Sequence, residues 1–303
     1  MPHLVGLRDQ PRERIQALLD HAAAIAARVE GGESRLGLLT GRTVGLLFAE
    51  PSTRTRFSFE MTAMRLGADC LAFSAAGSSM SKGETLLDTA RLLVSVGAEV
   101  IVVRHKAVGS ARLLSERLGV PVLNAGDGTA EHPTQALLDL FTLQRHLGRL
   151  EGRTVAIVGD ITHSRVARSG IFGLVALGAK VLIAGPPTLC PPELAELGVE
   201  VRHTIDDVLE QSDALMMLRI QRERIGGAKL PPESEYRSLY ALTEERAERM
   251  REGAIVLHPA PMNRSVEIDD AVADGPRSVI FEQMKNGVWV RMAALLDVLE
   301  VTP

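Results

Sequence analysis

Short and almost continuous runs of apolar residues recur along the chain, and a stretch with helical spacing follows most of them. The strand-length runs cover residues 43–48, 100–104, 121–125, 154–160, 180–185, 214–219 and 254–259. Continuous apolar runs, as opposed to alternating ones, are typical of parallel strands that are buried on both faces. The pattern therefore predicts an α/β fold of parallel sheets with helices on both faces.

A break in this alternation lies in the segment "LGRLEGRTVAIVGD". A helical pattern ends near Gly148, a short charged turn follows, and a new strand begins at Thr154. The length of 303 residues also favours about two domains. We predict a first domain of residues 1–148, a second of residues 149–286, and a last helix, about 287–303, that packs back on the first. Each domain is expected to hold a mainly parallel sheet.

Composition narrows the functional classes. The chain is 46% hydrophobic and 24% charged, with a net charge of −4, which disfavours a nucleic-acid surface. Cys70 and Cys190 lie far apart and outside any Cys/His cluster, so neither a disulfide framework nor a metal site is expected. There is no apolar run of roughly 20 residues and no signal-peptide pattern. We expect a cytoplasmic protein that binds neither nucleic acid nor membrane.

The stretch "FAEPSTRTRFSFEM", residues 48–61, joins the first predicted strand to a helix that starts near Ser52. The first turn of this helix is rich in hydroxyls and arginine. Free N–H groups and the helix dipole attract anions there, and guanidinium groups match phosphate geometry. Ser and Thr are also ordinary helix caps, but their density here predicts a phosphate cradle. Further along, Phe57, Met61 and Met64 have the spacing of an apolar helix face.

Two other polar clusters follow predicted strands. Arg104 ends one strand, and "EHPTQALLDL" places His132 and Gln135 at the start of a helix, with Pro133 in its first turn. Open α/β sheets bind ligands at the carboxyl ends of their strands. A lone histidine or glutamine there is more often a cap or a surface residue. The joint occurrence of the three clusters is what predicts a ligand site.

Four segments, "PSTRTRFSFE", "SKGETLLDT", "EHPTQALLDL" and "HPAPMNR", closely resemble the carbamoyltransferases, in the expected order along essentially the whole chain. The resemblance implies two α/β domains with an active site between them, and trimers whose sites are shared across subunit interfaces. Within this family the chain is most similar to the members that use aspartate. The implied reaction transfers the carbamoyl group of carbamoyl phosphate to the α-amine of L-aspartate. Its products are N-carbamoyl-L-aspartate and phosphate, in early pyrimidine synthesis.

The resemblance also implies a binding site for carbamoyl phosphate. Its residues would be Ser52, Thr53, Arg54, Thr55, Ser78, Arg104, His132, Gln135, Pro259 and Ala260. Within this set, Arg104, His132 and Thr55 would contact the carbamoyl oxygen. Gln135 would contact the carbamoyl amide, together with backbone carbonyls near Pro259 and Ala260.

The same resemblance implies residues for the second substrate. Those that would hold aspartate are Lys82, Arg165, Arg219 and Gln221. Ser78 and Lys82 would reach into the site of a neighbouring subunit. Glu50 and Arg224 match positions that bridge the domains when the site closes.

The chemistry suits these residue types. Attack by a neutral amine on the carbamoyl carbon builds negative charge on its oxygen, and Arg104, Thr55 and His132 are suitable donors. Arg54 and Lys82 can offset the charge of the leaving phosphate. These five are the predicted catalytic residues, and the reaction needs neither a metal nor an organic cofactor. Because no side chain stands out as a base, phosphate itself is expected to take the amine proton.

The assignment of aspartate as the second substrate depends on fewer residues. Arg165, Arg219 and Lys82 supply positive charge for two carboxylates, and Pro259 follows His258 where ornithine-using relatives typically carry Cys. The alternatives are a carbamoyltransferase for another amine, an inactive scaffold paralogue and a non-enzymatic phosphate-binding module. A separate regulatory or dihydroorotase chain is a partner that the sequence leaves open. After "HPAPMNR", Ser265 stands where many relatives have Gly or Asp.

Overall fold

The computed structural model describes residues 2–74, 83–220 and 231–303. The strands are β1 (Thr43–Phe48), β2 (Asp69–Ser74), β3 (Val100–His105), β4 (Val122–Asp127), β5 (Thr154–Val158), β6 (Lys180–Ala184), β7 (Glu200–Arg202), β8 (Ala214–Met217) and β9 (Ile255–Leu257). The helices are α1 (Arg12–Glu30), α2 (Thr53–Leu66), α3 (Leu86–Ser95), α4 (Ser110–Arg117), α5 (Pro133–Leu147), α6 (Arg165–Ala176), α7 (Glu233–Tyr240), α8 (Glu244–Arg249), α9 (Asp270–Ala273) and α10 (Ile280–Val298).

The chain forms two compact units. Unit 1 comprises Met1–Leu138 and Lys285–Pro303, and unit 2 comprises Asp139–Met284. The chain therefore passes between units within α5 and within α10. The predicted boundary after residue 148 falls in the turn between α5 and β5, and that boundary stays a prediction.

Unit 1 contains a parallel four-stranded sheet in the order β2-β1-β3-β4. From β1 the chain moves outward to β2 and then returns to place β3 on the other side of β1. The order of the strands thus reverses between β1 and β3. At such a switch point the two loops that follow the strands diverge and leave a crevice for a ligand.

Unit 2 repeats this plan with a parallel five-stranded sheet in the order β7-β6-β5-β8-β9. The switch point lies between β5 and β8, whose residues Val158 and Met217 are register partners. The core on one face of this sheet includes Ala156, Val158, Leu215 and Met217 of the two central strands. The predicted α/β architecture of parallel sheets is confirmed.

Two strands were missed by the sequence analysis, and both lie at sheet edges. β2 and β7 occupy the outer positions of their sheets, and the described side chains of both are at least partly exposed. These two edge strands are only half covered, so they do not need the continuous apolar run that is typical of a buried strand. The search for such runs therefore overlooked Asp69–Ser74 and Glu200–Arg202.

The apolar stripe on α2 is not part of the core. Phe57, Met61 and Met64 are 61%, 41% and 52% exposed. The buried face of the helix is instead Thr55, Phe59, Thr62, Ala63 and Leu66. Within unit 1, part of this helix packs against α10, where the guanidinium of Arg291 donates to the hydroxyl of Ser58 at 2.7 Å. The buried face of α2 is thus less apolar than its exposed stripe, because small and hydroxyl residues fill much of it.

Ser265 lies in a turn after β9 and has φ +64°, a left-handed conformation that favours glycine. Its amide donates to the carbonyl of Ile268 at 2.9 Å, and glycine preserves that bond. We expect Ser265→Gly to raise the free energy of unfolding by about 0.5–1 kcal/mol because the strain is relieved. Urea denaturation measures the change. The control is Ser95→Gly at the exposed last residue of helix α3, which should destabilise the chain. A fall in stability with Ser265→Gly would contradict the explanation.

Candidate functional site

The switch point of unit 1 carries the predicted phosphate cradle. β1 ends at Phe48, and α2 begins at Thr53 with Ser52 as its N-cap in an extended conformation. The hydroxyl of Ser52 makes no capping hydrogen bond, and the first turn of α2 contains no acidic residue. The positive end of this helix therefore faces no carboxylate from its own first turn. Such an end is suited to an anionic ligand.

Arg104 lies on the other side of the same switch point. It is the register partner of Phe48 in the β1–β3 pair, and its carbonyl accepts from the amide of Ala49 at 2.9 Å. Its guanidinium donates to the carbonyl of Ala125 at 3.0 Å and to Glu50 at 3.1 Å. The two side chains of this ion pair are only 12% and 18% exposed. A carbonyl and a carboxylate thus hold the guanidinium beside the predicted phosphate cradle.

His132 reaches the same edge through the loop after β4. Asp127, the last residue of β4, accepts hydrogen bonds from the amides of Glu131 at 3.2 Å and Gly109 at 2.9 Å. This carboxylate fixes the turn that leads to His132, which is 3% exposed and directly precedes α5. The carbonyl of His132 accepts from the amide of Gln135 at 3.0 Å. The structure therefore places all three predicted clusters at the carboxyl ends of the adjacent strands β1, β3 and β4.

In unit 2, the two predicted arginines flank the switch point. Arg165 is the first residue of α6, seven residues after the end of β5, and is 4% exposed. Arg219 lies two residues after the end of β8 and is partly buried. The first turn of α6 contains no acidic residue, so the helix dipole and both guanidinium groups favour an anion at this edge. Two separate arginines suit a ligand with two carboxylates.

Asp160 supports the loop to Arg165 and was missed by the sequence analysis. It follows β5, is fully buried, and its Oδ1 accepts from the amide of His163 at 3.0 Å. The same oxygen lies 3.0 Å from Nδ1 of His163. Ser164 then caps α6 by accepting from the amide of Ala167 at 3.1 Å. The "GD" after a strand was the available signal, because an aspartate directly after a buried strand often fixes a turn.

Pro259 and Ala260 follow β9, at the same carboxyl edge of the unit 2 sheet. Both are partly buried, and Ala260 has φ +52°. Its amide donates to Nδ1 of His258 at 2.8 Å. The backbone at this position is therefore held in one conformation by the preceding side chain.

Some predicted positions cannot be placed. Ser78, Lys82, Gln221 and Arg224 lie outside the described residues. Glu50 contacts Arg104 in unit 1, and its predicted role in domain closure stays a prediction. Among the residues that the structure covers, no group of three or more His, Cys, Asp or Glu side chains is arranged to hold a metal ion. Within the same ranges, no helix has the length and apolar character needed to cross a bilayer.

Each unit has its own set of polar and charged groups. In unit 1 these are a helix N-terminus, hydroxyls and Arg104, which suit a phosphate, with His132 as a further polar group. In unit 2 they are Arg165 and Arg219, which suit carboxylates. Each set lies at a switch point, where open α/β sheets bind ligands.

Known proteins are similar to this chain over nearly its whole length. The aspartate/ornithine carbamoyltransferase family matches in two parts: its carbamoyl-P binding domain over residues 2–145 and its Asp/Orn binding domain over residues 151–298. The aspartate carbamoyltransferase catalytic subunit of Myxococcus xanthus is 53% identical over 295 residues, which cover 97% of this chain and 98% of the relative.

Solved structures agree. Aspartate transcarbamoylase from Trypanosoma cruzi, in complex with carbamoyl aspartate and phosphate, is 34% identical with a TM-score of 0.85, covering 98% of this chain and 95% of the other. Ornithine carbamoyltransferase from Pyrococcus furiosus is 28% identical with a TM-score of 0.86, covering 98% and 97%. With both domains matched in order and over nearly the whole length, this chain belongs to the aspartate/ornithine carbamoyltransferase family.

Proposed function

We propose that this chain transfers the carbamoyl group of carbamoyl phosphate to the α-amine of L-aspartate. The products are N-carbamoyl-L-aspartate and phosphate, and the reaction serves pyrimidine biosynthesis. The observation that carries the choice of substrate is the pair Arg165 and Arg219 at the switch point of unit 2. A dicarboxylate gains from both guanidinium groups, whereas the ammonium of ornithine would be repelled by them.

Unit 1 binds carbamoyl phosphate in this proposal. Ser52, Thr53, Arg54 and Thr55 hold the phosphate at the start of α2. Arg104, His132 and Thr55 donate to the carbamoyl oxygen, which becomes negatively charged as the amine attacks. The fixed position of Arg104, between Glu50 and the carbonyl of Ala125, supports this assignment. A donor that is already oriented costs no reorganisation during the reaction.

The bonding changes are few. The lone pair of the aspartate amine forms the new C–N bond, and the C–O bond to phosphate breaks with its electrons left on the phosphate. Arg54 and Lys82 offset that charge, and a phosphate oxygen accepts the proton lost by the nitrogen. Gln135 and the carbonyls of Pro259 and Ala260 hold the carbamoyl amide. Lys82 and Gln221 complete the aspartate site, and Glu50 with Arg224 stabilises the closed state.

Product analysis tests the reaction. Purified protein is incubated with carbamoyl phosphate and L-aspartate, and ureido product and released phosphate are both quantified. We expect N-carbamoyl-L-aspartate and phosphate in equal amounts, above the spontaneous hydrolysis of carbamoyl phosphate. Phosphate binding without any ureido product would overturn the proposal and favour a scaffold or a simple phosphate-binding module.

The active form is proposed to be a cytoplasmic homotrimer with shared sites. The exposed stripe of Phe57, Met61 and Met64 supports this, because large apolar patches usually mark contacts with other proteins. It lies on the helix that begins with the phosphate cradle, so a neighbouring subunit there could deliver Ser78 and Lys82. The free thiols Cys70 and Cys190 fit a reducing compartment.

Subunit complementation tests the shared site. Arg54→Ala and Lys82→Ala trimers are each expected to be nearly inactive. After subunit exchange, a hybrid trimer contains one site with both residues intact, so activity should return to at most about a third of wild type per trimer. Mass spectrometry of tagged subunits confirms that exchange occurred. If hybrids form and stay inactive, Lys82 is not contributed across the interface.

A further inference from the structure

His258 and Glu267 form a buried pair that the proposed mechanism does not use. His258 follows β9 and is 1% exposed, and Glu267 is fully buried. The Nε2 of His258 lies 3.2 Å from Oε1 of Glu267. His258 directly precedes Pro259 and Ala260, whose carbonyls are assigned to the carbamoyl amide. The pair is therefore positioned to fix the backbone conformation of Pro259 and Ala260.

The hydrogen bonds fix the tautomer of the ring. The amide of Ala260 donates to Nδ1 of His258 at 2.8 Å. A backbone N–H can only donate, so Nδ1 carries no proton and Nε2 does. Nε2 therefore donates to Glu267. The same carboxylate oxygen accepts from the amide of Asn263 at 2.6 Å, which ties the ring to the far end of the turn.

This arrangement sets the direction of the Pro259 carbonyl. The carbonyl of Pro259 and the amide of Ala260 belong to one planar peptide group and point in opposite directions. Anchoring the amide on His258 thus aims the carbonyl away from the ring. Within residues 259–261 only Ala260 has a backbone N–H. With φ +52° at Ala260, this backbone conformation needs support from its surroundings.

The backbone of His258 is anchored as well. The amide of His258 donates to Oε1 of Gln283 at 3.1 Å, and Nε2 of Gln283 donates to Oδ1 of Asp139 at 2.5 Å. Gln283 and Asp139 are each 1% exposed. Groups this deeply buried stay in place because their hydrogen bonds have no water to replace them.

We propose that His258, held by Glu267, is a positioning residue that aims the Pro259 carbonyl at the carbamoyl NH₂. This inference rests on the proposed function. Its consequence is selectivity: the site recognises a carbamoyl donor through its amide hydrogens. An acyl phosphate that has a methyl group in place of the NH₂ cannot use this carbonyl.

Two substitutions distinguish the hydrogen bond at Nδ1 of His258 from the one at Nε2. In His258→Asn, the side-chain oxygen occupies the place of Nδ1 and can still accept from Ala260. In His258→Gln, the longer side chain reaches toward Glu267 and leaves the Ala260 amide without its acceptor. We expect His258→Gln to lower kcat/KM for carbamoyl phosphate at least about 10-fold, as the loss of an oriented hydrogen bond does. His258→Asn should lose less than about 3-fold.

Acetyl phosphate is the control that distinguishes a positioning role of His258 from a purely structural one. It carries the same phosphate and carbonyl, with methyl in place of the amide. Its inhibition constant against carbamoyl phosphate, and that of inorganic phosphate, should be unchanged in His258→Gln. Equal weakening of carbamoyl phosphate and acetyl phosphate would overturn the inference, and so would equal losses in the Asn and Gln variants.

Further measurements keep the test independent of folding and of the proposed reaction. If His258→Gln does not fold, Glu267→Gln carries the test. Its weaker acceptor should reduce the preference for carbamoyl over acetyl phosphate by about 3-fold, and an unchanged preference would count against the inference. If the wild-type enzyme forms no ureido product, the proposed function fails. Calorimetric binding of the two acyl phosphates to wild type and His258→Gln then still decides the role of His258.

Discussion

Replacing Arg54 by alanine is expected to lower kcat by at least about 10²-fold, with a smaller effect on the binding of carbamoyl phosphate. Arg54 lies in the first turn of α2, after the strand β1 and at the switch point of the sheet. Charge develops on the leaving phosphate as the C–O bond breaks. A guanidinium at this place stabilises the transition state more than the bound substrate. Steady-state kinetics with carbamoyl phosphate and aspartate give both constants.

The neighbouring Arg56 supplies a matched control for this prediction. It lies on the same helix, and its guanidinium donates to Glu60 at 2.7 Å on a partly exposed surface. An exposed pair of this kind contributes less than about 1 kcal/mol to stability. Arg56→Ala should therefore keep kcat within about 3-fold. Near-normal turnover of Arg54→Ala, or an equal loss in both variants, would refute the special role of Arg54.

Replacing Arg165 by alanine should lower kcat/KM for aspartate by about 10²-fold and leave the affinity for carbamoyl phosphate unchanged. Arg165 is almost fully buried at the start of α6. A ligand carboxylate that loses a buried guanidinium loses a charge-assisted hydrogen bond and stays partly desolvated. Initial rates at varied aspartate, together with calorimetry of carbamoyl phosphate, separate the two substrates.

Arg202 is the control for the second prediction. It belongs to the same unit but lies on the edge strand β7, where it pairs with Glu200. Arg202→Ala should leave kcat/KM for aspartate within about 2-fold. If Arg165→Ala retains wild-type kinetics for aspartate, or if it weakens both substrates equally, Arg165 does not recognise the second substrate.

The buried strands could be predicted from the sequence, whereas the two exposed edge strands, β2 and β7, could not. β1, β3, β5 and β8 are buried on both faces and therefore read as unbroken apolar runs. The exposed strands β2 and β7 lack such a run. The apolar spacing on α2 did not show which face of that helix is buried, because apolar residues also occupy surfaces that other proteins cover.

The residues at the two switch points were predictable for a different reason. The segment after β1 and the residues Arg104, His132 and Arg165 each lie at the end of a strand or at the start of a helix, so their local sequence shows where they lie. Their supports are not local. Glu267 contacts His258 across nine residues, and Gln283 does so across 25. Such partners depend on the tertiary fold, which periodicity and motif spacing do not specify.

The central claim is the identity of the second substrate, and the ratio of kcat/KM for L-aspartate to that for L-ornithine tests it most directly. Both are measured as ureido product formed at fixed carbamoyl phosphate. With Arg165 and Arg219 at the site, we predict a preference for aspartate of at least about 10³-fold. An equal or higher efficiency with ornithine would leave the phosphate half of the site intact and contradict the assignment of the two arginines.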